Sequence, residues 1–420
     1  MELTSVYIPK LENIRAASSK LEDVASLTPL NKNFQYSNKF DCNVYFKRED
    51  LQVVRSYKIR GAYNKMSSLS VSESERGIVC ASAGNHAQGV ALSCKLLKIH
   101  GTIYMPSPTP NQKIEQVKMF GGDFIKVVLE GDTFDDAYYT AINACKKLEK
   151  TFIHPFNDEK VIEGQATVGL EIFNQTKTPI DYIFVAVGGG GLASGLSTVF
   201  KNLSPDTKVI GVEPEGAPSM LTSIKNGVNT KLDHIEKFVD GAAVKKVGDK
   251  TFEICKRYLH DMITVPEGKI CQTILELYNK DAIVVEPAGA LSVSALDYYK
   301  DKIKGKNIVC IVSGSNNDLT RVAEINERAL LYSNLKHYFI VKFPQRAGAL
   351  KEFVAEILGP DDDITHFEYT KKTNRENGAA VVGIQLKSSD DLAPLVSRMK
   401  SHNFYGDYLN DKPNLFQFIV

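Results

Sequence analysis

The sequence of 420 residues lacks several features that mark particular classes of protein. Its 51 lysines and arginines nearly cancel its 50 aspartates and glutamates, which leaves a formal charge of +1. Proteins that bind nucleic acid or anionic membranes usually carry a strong basic excess, so we expect neither partner. No repeat or low-complexity segment is evident. At about 150 residues per domain, the length predicts two or three domains.

Cysteines are few and have no regular spacing. The seven are odd in number and never form C-x-x-C, which argues against a disulfide framework or a structural zinc site. Several lie in apolar runs, so buried free thiols in a reducing cytoplasm are expected. The first residues, "MELTSVYIPKLENIRAA", have no basic segment followed by an apolar one. No secretory signal is therefore expected, and we predict a cytoplasmic protein.

One uncharged segment approaches the length of a membrane span. Residues 182–200, "YIFVAVGGGGLASGLSTVF", include four consecutive glycines and several hydroxyl side chains, which leave the segment only weakly apolar. A strand, a glycine loop and a helix explain it better than a transmembrane helix does.

Short β-branched runs alternate with helical segments from about residue 43 to residue 320. Near-continuous apolar strands separated by helices indicate an α/β fold with mainly parallel sheets. Ligands of such sheets bind beyond the carboxyl ends of the strands. The clearest predicted strands are "GIVCASAG", "GTIYMP", "DFIKVVL", "DYIFVAVGGGG", "KVIGVEP" and "NIVCIVSGSNND".

The last 84 residues have a different pattern. They predict strand, helix, strand, strand, helix and strand, which is the order of a ferredoxin-like βαββαβ unit. We therefore predict a first domain of residues 1–325 with a smaller subdomain at about 45–155, a linker at 326–336 and a second domain at 337–420. The predicted elements are "KHYFIVKFP", "GALKEFVAEILG", "ITHFEYTKK", "AAVVGIQLK", "DLAPLVSRMK" and "NLFQFIV".

A run of four glycines lies between a predicted strand and a helix. In "VGGGGLASG", Gly188 to Gly191 can present backbone N–H groups with no Cβ in the way, and the following helix N-terminus adds to an anion cradle sized for one phosphate. The run matches neither G-x-G-x-x-G nor the P-loop, so a nucleotide is not expected. The alternative is a tight turn that uses glycine for geometry alone.

A second loop, "SAGNHAQG", also opens a helix after a strand. Ser82, Ala83, Gly84 and Asn85 can offer donors to a carboxylate, and Asn85 can also reach a ring hydroxyl. For His86 we favour packing or a backbone contact over proton transfer, because no triad partner is evident nearby.

Two further segments complete the candidate site. "VSGSNND" ends a strand and is predicted to begin a helix, so Ser313 is either a helix cap or a ligand contact. Lys58, in "SYKIRGAYNKM", is a candidate amine nucleophile, although most lysines lie on the surface. A site for pyridoxal 5'-phosphate and an amino acid requires four groups. These are an amine for the Schiff base, donors for the phosphate, a partner for the ring nitrogen and donors for the amino-acid carboxylate.

These motifs together resemble those of the threonine dehydratase family. "SYKIRGAYNKM", "SAGNHAQGVA", "VGGGGLASG", "GVEP" and "VSGSNND" occur in the order and approximate spacing of these serine/threonine deaminases, which are fold-type II pyridoxal-phosphate enzymes. The tail, "FPQRAGALKEFVAEILGP" with "ITHFEYTKK", resembles the ACT-like regulatory domain of the biosynthetic form. The resemblance implies a two-subdomain parallel-sheet catalytic body followed by a ferredoxin-like ACT-like domain.

The resemblance also implies a role for each motif. Lys58 is expected to form the Schiff base with the cofactor, Asn85 to contact its ring hydroxyl, and Ser313 to contact its pyridine nitrogen. Tyr57 stands where the family usually has phenylalanine and is expected to cover the cofactor. The expected phosphate loop consists of Gly188, Gly189, Gly190, Gly191 and Leu192. The expected contacts of the substrate carboxylate are Ser82, Ala83, Gly84 and Asn85.

The implied activity is the dehydration and deamination of L-threonine, with L-serine as a second substrate, to a 2-oxoacid and ammonia. Isoleucine is the implied inhibitor through the C-terminal domain, where Arg346 to Ala349 form a predicted strand-to-helix turn, and a homotetramer is the implied assembly. Relatives bind a cation with residues that correspond to Glu213, Ala217 and an acidic residue at position 219. Here that position is Ser219, so we expect no metal.

Three alternatives stay open at this stage. A serine or threonine racemase begins its reaction in the same way on the same body. A catabolic serine/threonine deaminase uses the same motifs, and a non-catalytic amino-acid sensor would bind ligand through the tail alone. The regulatory tail favours a feedback-controlled biosynthetic enzyme over the first two, and the presence of every expected cofactor-binding residue argues against the sensor.

Overall fold

The chain folds into two compact units, which a computed structural model describes over residues 6–369 and 377–412. The first unit is Met1–Leu319 and the second is Thr320–Val420. The sequence predicted a boundary after residue 325 and a linker at 326–336. Residues 322–332, which overlap that linker, form a helix.

The first unit alternates helices and strands. Its strands are β1 Leu30–Lys32, β2 Asn43–Arg48, β3 Ile78–Ala81, β4 Gly101–Met105, β5 Ile125–Leu129, β6 Thr151–Phe152, β7 Tyr182–Ala186, β8 Lys208–Pro214, β9 Asp261–Val265 and β10 Asn307–Val312. Its helices are α1 Leu11–Leu21, α2 Phe34–Phe40, α3 Lys58–Met66, α4 Val71–Arg76, α5 Asn85–Leu97, α6 Asn111–Gly121, α7 Phe134–Lys147, α8 Glu159–Gln175, α9 Gly191–Leu203, α10 Ser219–Asn226, α11 Asp249–Tyr258, α12 Glu267–Asp281, α13 Pro287–Ser294 and α14 Leu296–Ile303.

These strands form two sheets. The larger has the order β1-β2-β10-β7-β8-β9 and is parallel except for β1, and the smaller has the order β5-β4-β3-β6 and is parallel throughout. The prediction of mainly parallel sheets is confirmed. Both sheets carry strands buried on both faces, such as β3 and β7, as helix-covered parallel sheets require.

The uncharged segment at residues 182–200 forms strand β7, a glycine loop and most of helix α9, as predicted. None of the helices in the described part of the chain is both long enough and apolar enough to span a bilayer.

Close helix packing positions helix α3, which begins at Lys58. A Cβ on Gly164 of α8 would lie 2.5 Å from the carbonyl oxygen of Arg60, and a Cβ on Gly61 would lie 2.4 Å from Nε2 of Gln165. Since real Cβ atoms do not approach so closely, glycine at both positions allows α3 and α8 to pack backbone against backbone. The start of α3 is thereby fixed against a buried helix.

The second unit has the predicted ferredoxin-like order. Its elements are α15 Val322–Tyr332, β11 Lys336–Pro344, α16 Ala349–Glu352 continued by a π-helical turn at Phe353–Ile357, β12 Asp363–Tyr369, β13 Asn377–Gln385, α17 Leu392–Ser401 and β14 Tyr405–Tyr408. Its antiparallel sheet has the order β12-β13-β11-β14 in the described residues. Strand β13 therefore pairs with both β12 and β11, and β14 pairs with the other edge of β11.

Strand β14 differs from the sequence prediction. The last strand was expected in "NLFQFIV", which lies outside the described residues, and part of the predicted strand "ITHFEYTKK" lies outside them too. The observed strand contains Gly406, where a Cβ would lie 2.3 Å from the carbonyl oxygen of Ile340. Gly406 and Asp407 at the centre of this four-residue strand have low β-propensity, and pairing with β11 overrides it.

Candidate active site

Lys58 begins helix α3 and lies inside the first unit. Its Nζ donates a hydrogen bond to the carbonyl oxygen of Pro155 at 3.1 Å. Desolvation by the surrounding protein lowers the pKa of Lys58 to about 8, and the nearby Glu286 carboxylate opposes this shift. Burial disfavours the charged ammonium, so a larger fraction of this amine is neutral near pH 8 than for an ordinary lysine. A neutral amine is the form that attacks a carbonyl group.

The residues around Lys58 bring two of the predicted loops to it. A Cβ on Gly89 of α5 would lie 3.1 Å from the carbonyl group of Lys58, so the helix that follows the Ser82 loop packs directly against Lys58. The backbone N–H of Tyr57 donates to the carbonyl oxygen of Ser313 at 3.3 Å, and Ser56 pairs with Gly314 in an isolated β-bridge. The Lys58 segment is therefore held against the Ser313 segment.

The glycine run forms a tight loop between β7 and α9. Gly190 has a φ of +91°, and a Cβ on Gly189 would lie 2.2 Å from the ring of Phe156. The hydroxyl of Thr251 donates to the carbonyl oxygen of Gly189 at 2.6 Å, which fixes the direction of that peptide group.

The amides of this loop are suited to an anion. Those from Gly188 to Leu192 donate to no acceptor within the described residues, and they include the first turn of the 13-residue helix α9. Free N–H groups at the start of a helix favour a bound anion such as a phosphate, and the side chain of Leu192 anchors the loop in the core.

The loop at Ser82 to Asn85 leaves open space beside it. Strand β3 ends at Ala81, and Gly84 caps helix α5. The backbone N–H of Gly84 donates to Oγ of Ser82 at 3.2 Å, while a Cβ on Gly84 would meet no protein atom within 4 Å. The amides of Ala83 and Asn85 donate to no acceptor within the described residues. This loop therefore offers donors and room for a small carboxylate.

The side chain of Asn85 is held by two residues for which the sequence suggested no role. Its Nδ2 donates to Oε1 of Glu286 at 2.6 Å, and Nδ2 of Asn316 donates to its Oδ1 at 2.6 Å. Glu286 is buried, and burial raises the pKa of its carboxyl group to about 7. A single acidic residue in the otherwise uncharged segment "AIVVEPAGALSVSAL" was the signal that could have found Glu286.

Ser313 lies just after β10 and is buried, and its Oγ donates to the carbonyl oxygen of Ala288 at 3.2 Å. Since a hydroxyl group rotates, Ser313 can donate instead to a ring nitrogen. The prediction that a helix begins in "VSGSNND" is wrong, because the next α-helix begins at Val322. The backbone is extended here by pairing: Gly314 accepts from the N–H of Glu286, and Ser315 donates to Arg55.

His86 contacts the backbone, as the sequence interpretation favoured. Its Nε2 lies 2.9 Å from the carbonyl oxygen of Ile153, and burial lowers its pKa to about 3. A second histidine, His154, was not singled out from the sequence. Its Nδ1 accepts from the backbone N–H groups of Phe156 and Asn157, at 3.2 and 2.8 Å. This acceptor shapes the turn that carries Pro155 and Phe156.

Glu213 and Ser219, at the position where the resemblance suggested that relatives bind a cation, form internal hydrogen bonds. The carboxylate of Glu213 accepts from the backbone N–H groups of Met220 and Leu221 at 2.7 and 2.9 Å, and Oγ of Ser219 donates to the carbonyl oxygen of Val244. The described residues include no group of three or more histidine, cysteine, aspartate or glutamate side chains placed to hold a metal ion.

The arrangement fits pyridoxal phosphate. Lys58 supplies a desolvated amine, the glycine loop supplies unpaired amides for the phosphate, and Ser313 and Asn85 supply polar atoms for a ring. The Ser82 loop supplies donors beside open space, where an amino-acid carboxylate can bind.

Comparison with known families and proteins agrees with this site. The family described as "Pyridoxal-phosphate dependent enzyme" matches residues 21–314, and the family described as "C-terminal regulatory domain of Threonine dehydratase" matches residues 327–419. The chain is 55% identical over 411 residues to "L-threonine dehydratase biosynthetic IlvA" of Halalkalibacterium halodurans, with 98% of this chain and 99% of the relative covered. It is 56% identical to the Bacillus subtilis protein of the same name, with 98% and 97% covered.

Solved structures of related enzymes match about three quarters of the chain. The processed form of threonine deaminase isoform 2 from Solanum lycopersicum matches with a TM-score of 0.72 and 41% identity, over 77% of this chain and 95% of that one. Maize serine racemase matches with a TM-score of 0.71 and 30% identity, over 78% and 99%.

The fold, the site and the comparisons with known proteins together show that the chain is a pyridoxal-phosphate-dependent enzyme of fold type II. Within that class, the chain belongs to the threonine dehydratase family, in its form with a C-terminal regulatory domain.

Proposed function

We propose that this protein is a biosynthetic L-threonine ammonia-lyase, which converts L-threonine into 2-oxobutanoate and ammonia as the first step of isoleucine biosynthesis. The observation that carries the proposal is the convergence of the Lys58, Ser82 and Ser313 segments, with Gly89 packed against Lys58 and Tyr57 bonded to Ser313. The names of relatives that are 55% and 56% identical support the choice of threonine.

Each predicted site residue has a proposed task. Pyridoxal phosphate supplies an aldehyde that binds amines and a ring that withdraws electrons from Cα. Lys58 holds the cofactor and, once its Nζ is free and neutral, takes the proton from Cα of the substrate. Gly188, Gly189, Gly190, Gly191 and Leu192 bind the phosphate through their amides. Asn85 contacts the ring oxygen, and Ser313 contacts the ring nitrogen.

The substrate is oriented by the loop that opens helix α5. Ser82, Ala83 and Gly84 bind the carboxylate of threonine, with Asn85 at the end of the same loop. Gly84 borders the open space that a substrate needs, and the free amides on either side of it point to an anionic group. L-Serine differs from threonine by one methyl group and is proposed as a slower second substrate.

The decisive experiment measures products from L-threonine with the purified holoenzyme. We expect 2-oxobutanoate and ammonia in equal amounts, and no product from the Lys58→Ala variant. The structure of maize serine racemase also matches this chain, so D-threonine and D-serine are measured in parallel. Enantiomers without 2-oxoacid would establish a racemase instead, and isoleucine binding without any turnover would establish a sensor.

We propose that isoleucine inhibits the enzyme through the C-terminal unit. The match of residues 327–419 to a regulatory domain supports this, and the turn at Arg346 to Ala349, where Gly348 has a φ of +85°, is the proposed contact. A shift of the threonine saturation curve by isoleucine is the expected result, and an unchanged curve would reject feedback by isoleucine. A catabolic deaminase would likewise show no such shift.

We also propose a cytoplasmic homotetramer. The proposed place in amino-acid biosynthesis supports the cytoplasm, and the family resemblance supports the tetramer. Sedimentation with and without isoleucine tests the assembly, since a monomeric sedimentation coefficient in both conditions would exclude it. Cell fractionation tests the compartment.

A further inference from the structure

The amide group of Asn85 is held at both ends by hydrogen bonds. Its Nδ2 donates to Oε1 of Glu286, and its Oδ1 accepts from Nδ2 of Asn316, both at 2.6 Å. Glu286 precedes helix α13, while Asn316 lies beyond β10. Three separate segments of the first unit therefore meet at one side-chain amide.

The direction of the Asn85 amide follows from its partners. Above its pKa of about 7 the carboxyl group of Glu286 is mostly ionised and only accepts hydrogen bonds, so the group that faces it is the Nδ2 of Asn85. Nδ2 of Asn316 also donates to the carbonyl oxygen of Val54 at 2.9 Å, and a carbonyl group cannot donate. The orientation of Asn316 is thereby fixed, and its Nδ2 faces the oxygen of Asn85. A reversed Asn85 amide would place oxygen against carboxylate and nitrogen against nitrogen.

This arrangement leaves a single proton available on Asn85. The Nδ2 group carries two protons, and one of them is directed to Glu286. The second is free to bind another acceptor, while the Oδ1 already accepts from Asn316. Asn85 therefore has an N–H group left to donate to a ligand in the site. An oxygen substituent on an aromatic ring is an acceptor of the matching kind.

Glu286 is itself held in place. It is 5% exposed, and the backbone N–H of Asn316 donates to its carboxylate. A Cβ on Gly314 would lie 2.4 Å from Oε1 of Glu286, so only glycine at 314 allows the carboxylate to reach Asn85. The residue that follows Ser313 is therefore part of the same arrangement.

We propose that Glu286 and Asn316 are positioning residues that fix the amide of Asn85, so that its remaining N–H faces the ring oxygen of the cofactor. This inference rests on the proposed role of Asn85 as the contact to that oxygen. Glu286 acts through Asn85 and does not touch the cofactor ring itself.

A double-mutant cycle tests the proposal through cofactor affinity. The apoenzyme is titrated with pyridoxal phosphate by absorbance, for the wild type, Asn85→Ala, Glu286→Ala, Asn316→Ala and the double variant of Asn85 and Glu286. Each single variant is expected to raise the dissociation constant about 10-fold or more, as for a lost charge-assisted hydrogen bond. The titrations are run well above pH 8, where Lys58 is mostly neutral with or without the Glu286 charge. The double variant is then expected to match Asn85→Ala, because under these conditions Glu286 acts on the cofactor only through Asn85.

The control is a buried carboxylate away from the site. Glu163 is 2% exposed and accepts hydrogen bonds from Tyr7, Asn13 and Lys160. Glu163→Gln is expected to lower the melting temperature of the apoenzyme and to leave the dissociation constant unchanged. If Glu286→Ala does not fold, Glu286→Gln replaces it in the cycle, since it loses the charge but keeps one acceptor oxygen.

The possible results separate the proposals. A full additional loss of affinity from the Glu286 change in the Asn85→Ala background would overturn the inference, because Glu286 would then act directly. Unchanged affinity in both the Glu286 and Asn316 variants would overturn it as well. Unchanged affinity in Asn85→Ala would instead refute the proposed cofactor contact of Asn85, and the inference would fall with it.

Discussion

The Nζ of Lys58 and the carbonyl oxygen of Pro155 are 3.1 Å apart, and this hydrogen bond joins the amine to the turn that covers the glycine loop. In that turn Nδ1 of His154 accepts from two backbone amides, and the ring of Phe156 packs over Gly189. One short turn therefore contacts both the amine and the proposed phosphate loop. Loss of the Lys58–Pro155 hydrogen bond, or of the packing of Phe156 on Gly189, is therefore expected to affect cofactor binding.

The lowered pKa of Lys58 predicts the pH dependence of cofactor uptake. The pKa is about 8, below the ordinary 10.5, so the reactive neutral amine becomes the main form as the pH rises through 8. We expect the rate of pyridoxal phosphate uptake by the apoenzyme to rise with pH to a plateau, with its midpoint near pH 8. Stopped-flow absorbance measures this rate, and a midpoint near pH 10 would contradict the prediction.

The charge of Glu286 predicts a further shift of that midpoint. Its carboxylate, with a pKa of about 7, is mostly ionised at pH 8 and raises the pKa of Lys58 by attraction. In Glu286→Gln the attraction is lost, so the midpoint of uptake is expected to move to lower pH. The same stopped-flow series measures it. A midpoint that moves upward would show that desolvation of Lys58 had been relieved instead.

Gly189→Ala is expected to weaken cofactor binding. The added Cβ would lie 2.2 Å from the ring of Phe156, so the loop or the ring has to move. Because the loop amides are the proposed phosphate donors, we expect the dissociation constant of pyridoxal phosphate to rise at least about 10-fold, as for a lost charge-assisted hydrogen bond. An absorbance titration of the apoenzyme measures this change.

A second variant tests whether the effect of Gly189→Ala is steric. Phe156→Ala removes the ring that the new Cβ would meet, so the double variant is expected to bind the cofactor more tightly than Gly189→Ala alone. Phe156→Ala alone provides the reference affinity. If the increases in dissociation constant from the two single variants multiply in the double variant, the clash between the new Cβ and the Phe156 ring is not the cause.

Gly84→Ala is expected to act on the substrate and not on the cofactor. A Cβ here meets no protein atom within 4 Å, so the fold should tolerate it. The methyl group would occupy the space proposed for the threonine carboxylate, and we expect KM for threonine to rise about 10-fold with an unchanged cofactor dissociation constant. Steady-state kinetics and a cofactor titration decide between this outcome and a general loss of structure.

Much of the first unit could be predicted because its strands are buried on both faces. Apolar runs such as those of β3 and β7 are distinct from the helices around them, and the glycine loop after β7 is visible in the sequence. Strand β9, by contrast, lies in the same sheet as β7, but it contains Asp261 and only two of its five residues are buried, so its pattern was weak. Such a strand is specified by pairing with β8.

The supporting residues of the site could not be predicted, because their roles depend on distant contacts. Glu286 is 201 residues from Asn85 in the chain, and Lys58 is 97 residues from Pro155. Motif spacing locates the residues that point into a site, but it carries no information about which buried groups orient them. His154 has no local pattern that distinguishes it from a surface residue, and the isolated charge of Glu286 in an apolar segment does not reveal that Asn85 is its partner.

Arg60, two residues after Lys58, predicts a large loss of stability on substitution. Its guanidinium is buried, donates twice to Glu49 at 2.8 Å and contacts Glu171 at 2.6 Å. Arg60→Ala removes the guanidinium that pairs with the buried Glu49 carboxylate and leaves it only the neutral donors Thr28 and Gln52. We therefore expect a loss of about 3–5 kcal/mol in the free energy of unfolding. Urea denaturation of the apoenzyme measures the loss. The control is Arg76→Ala on the surface, which should change the free energy of unfolding by about 0.5 kcal/mol or less. Equal losses in the two variants would reject a stabilising role for the buried pair of Arg60 and Glu49.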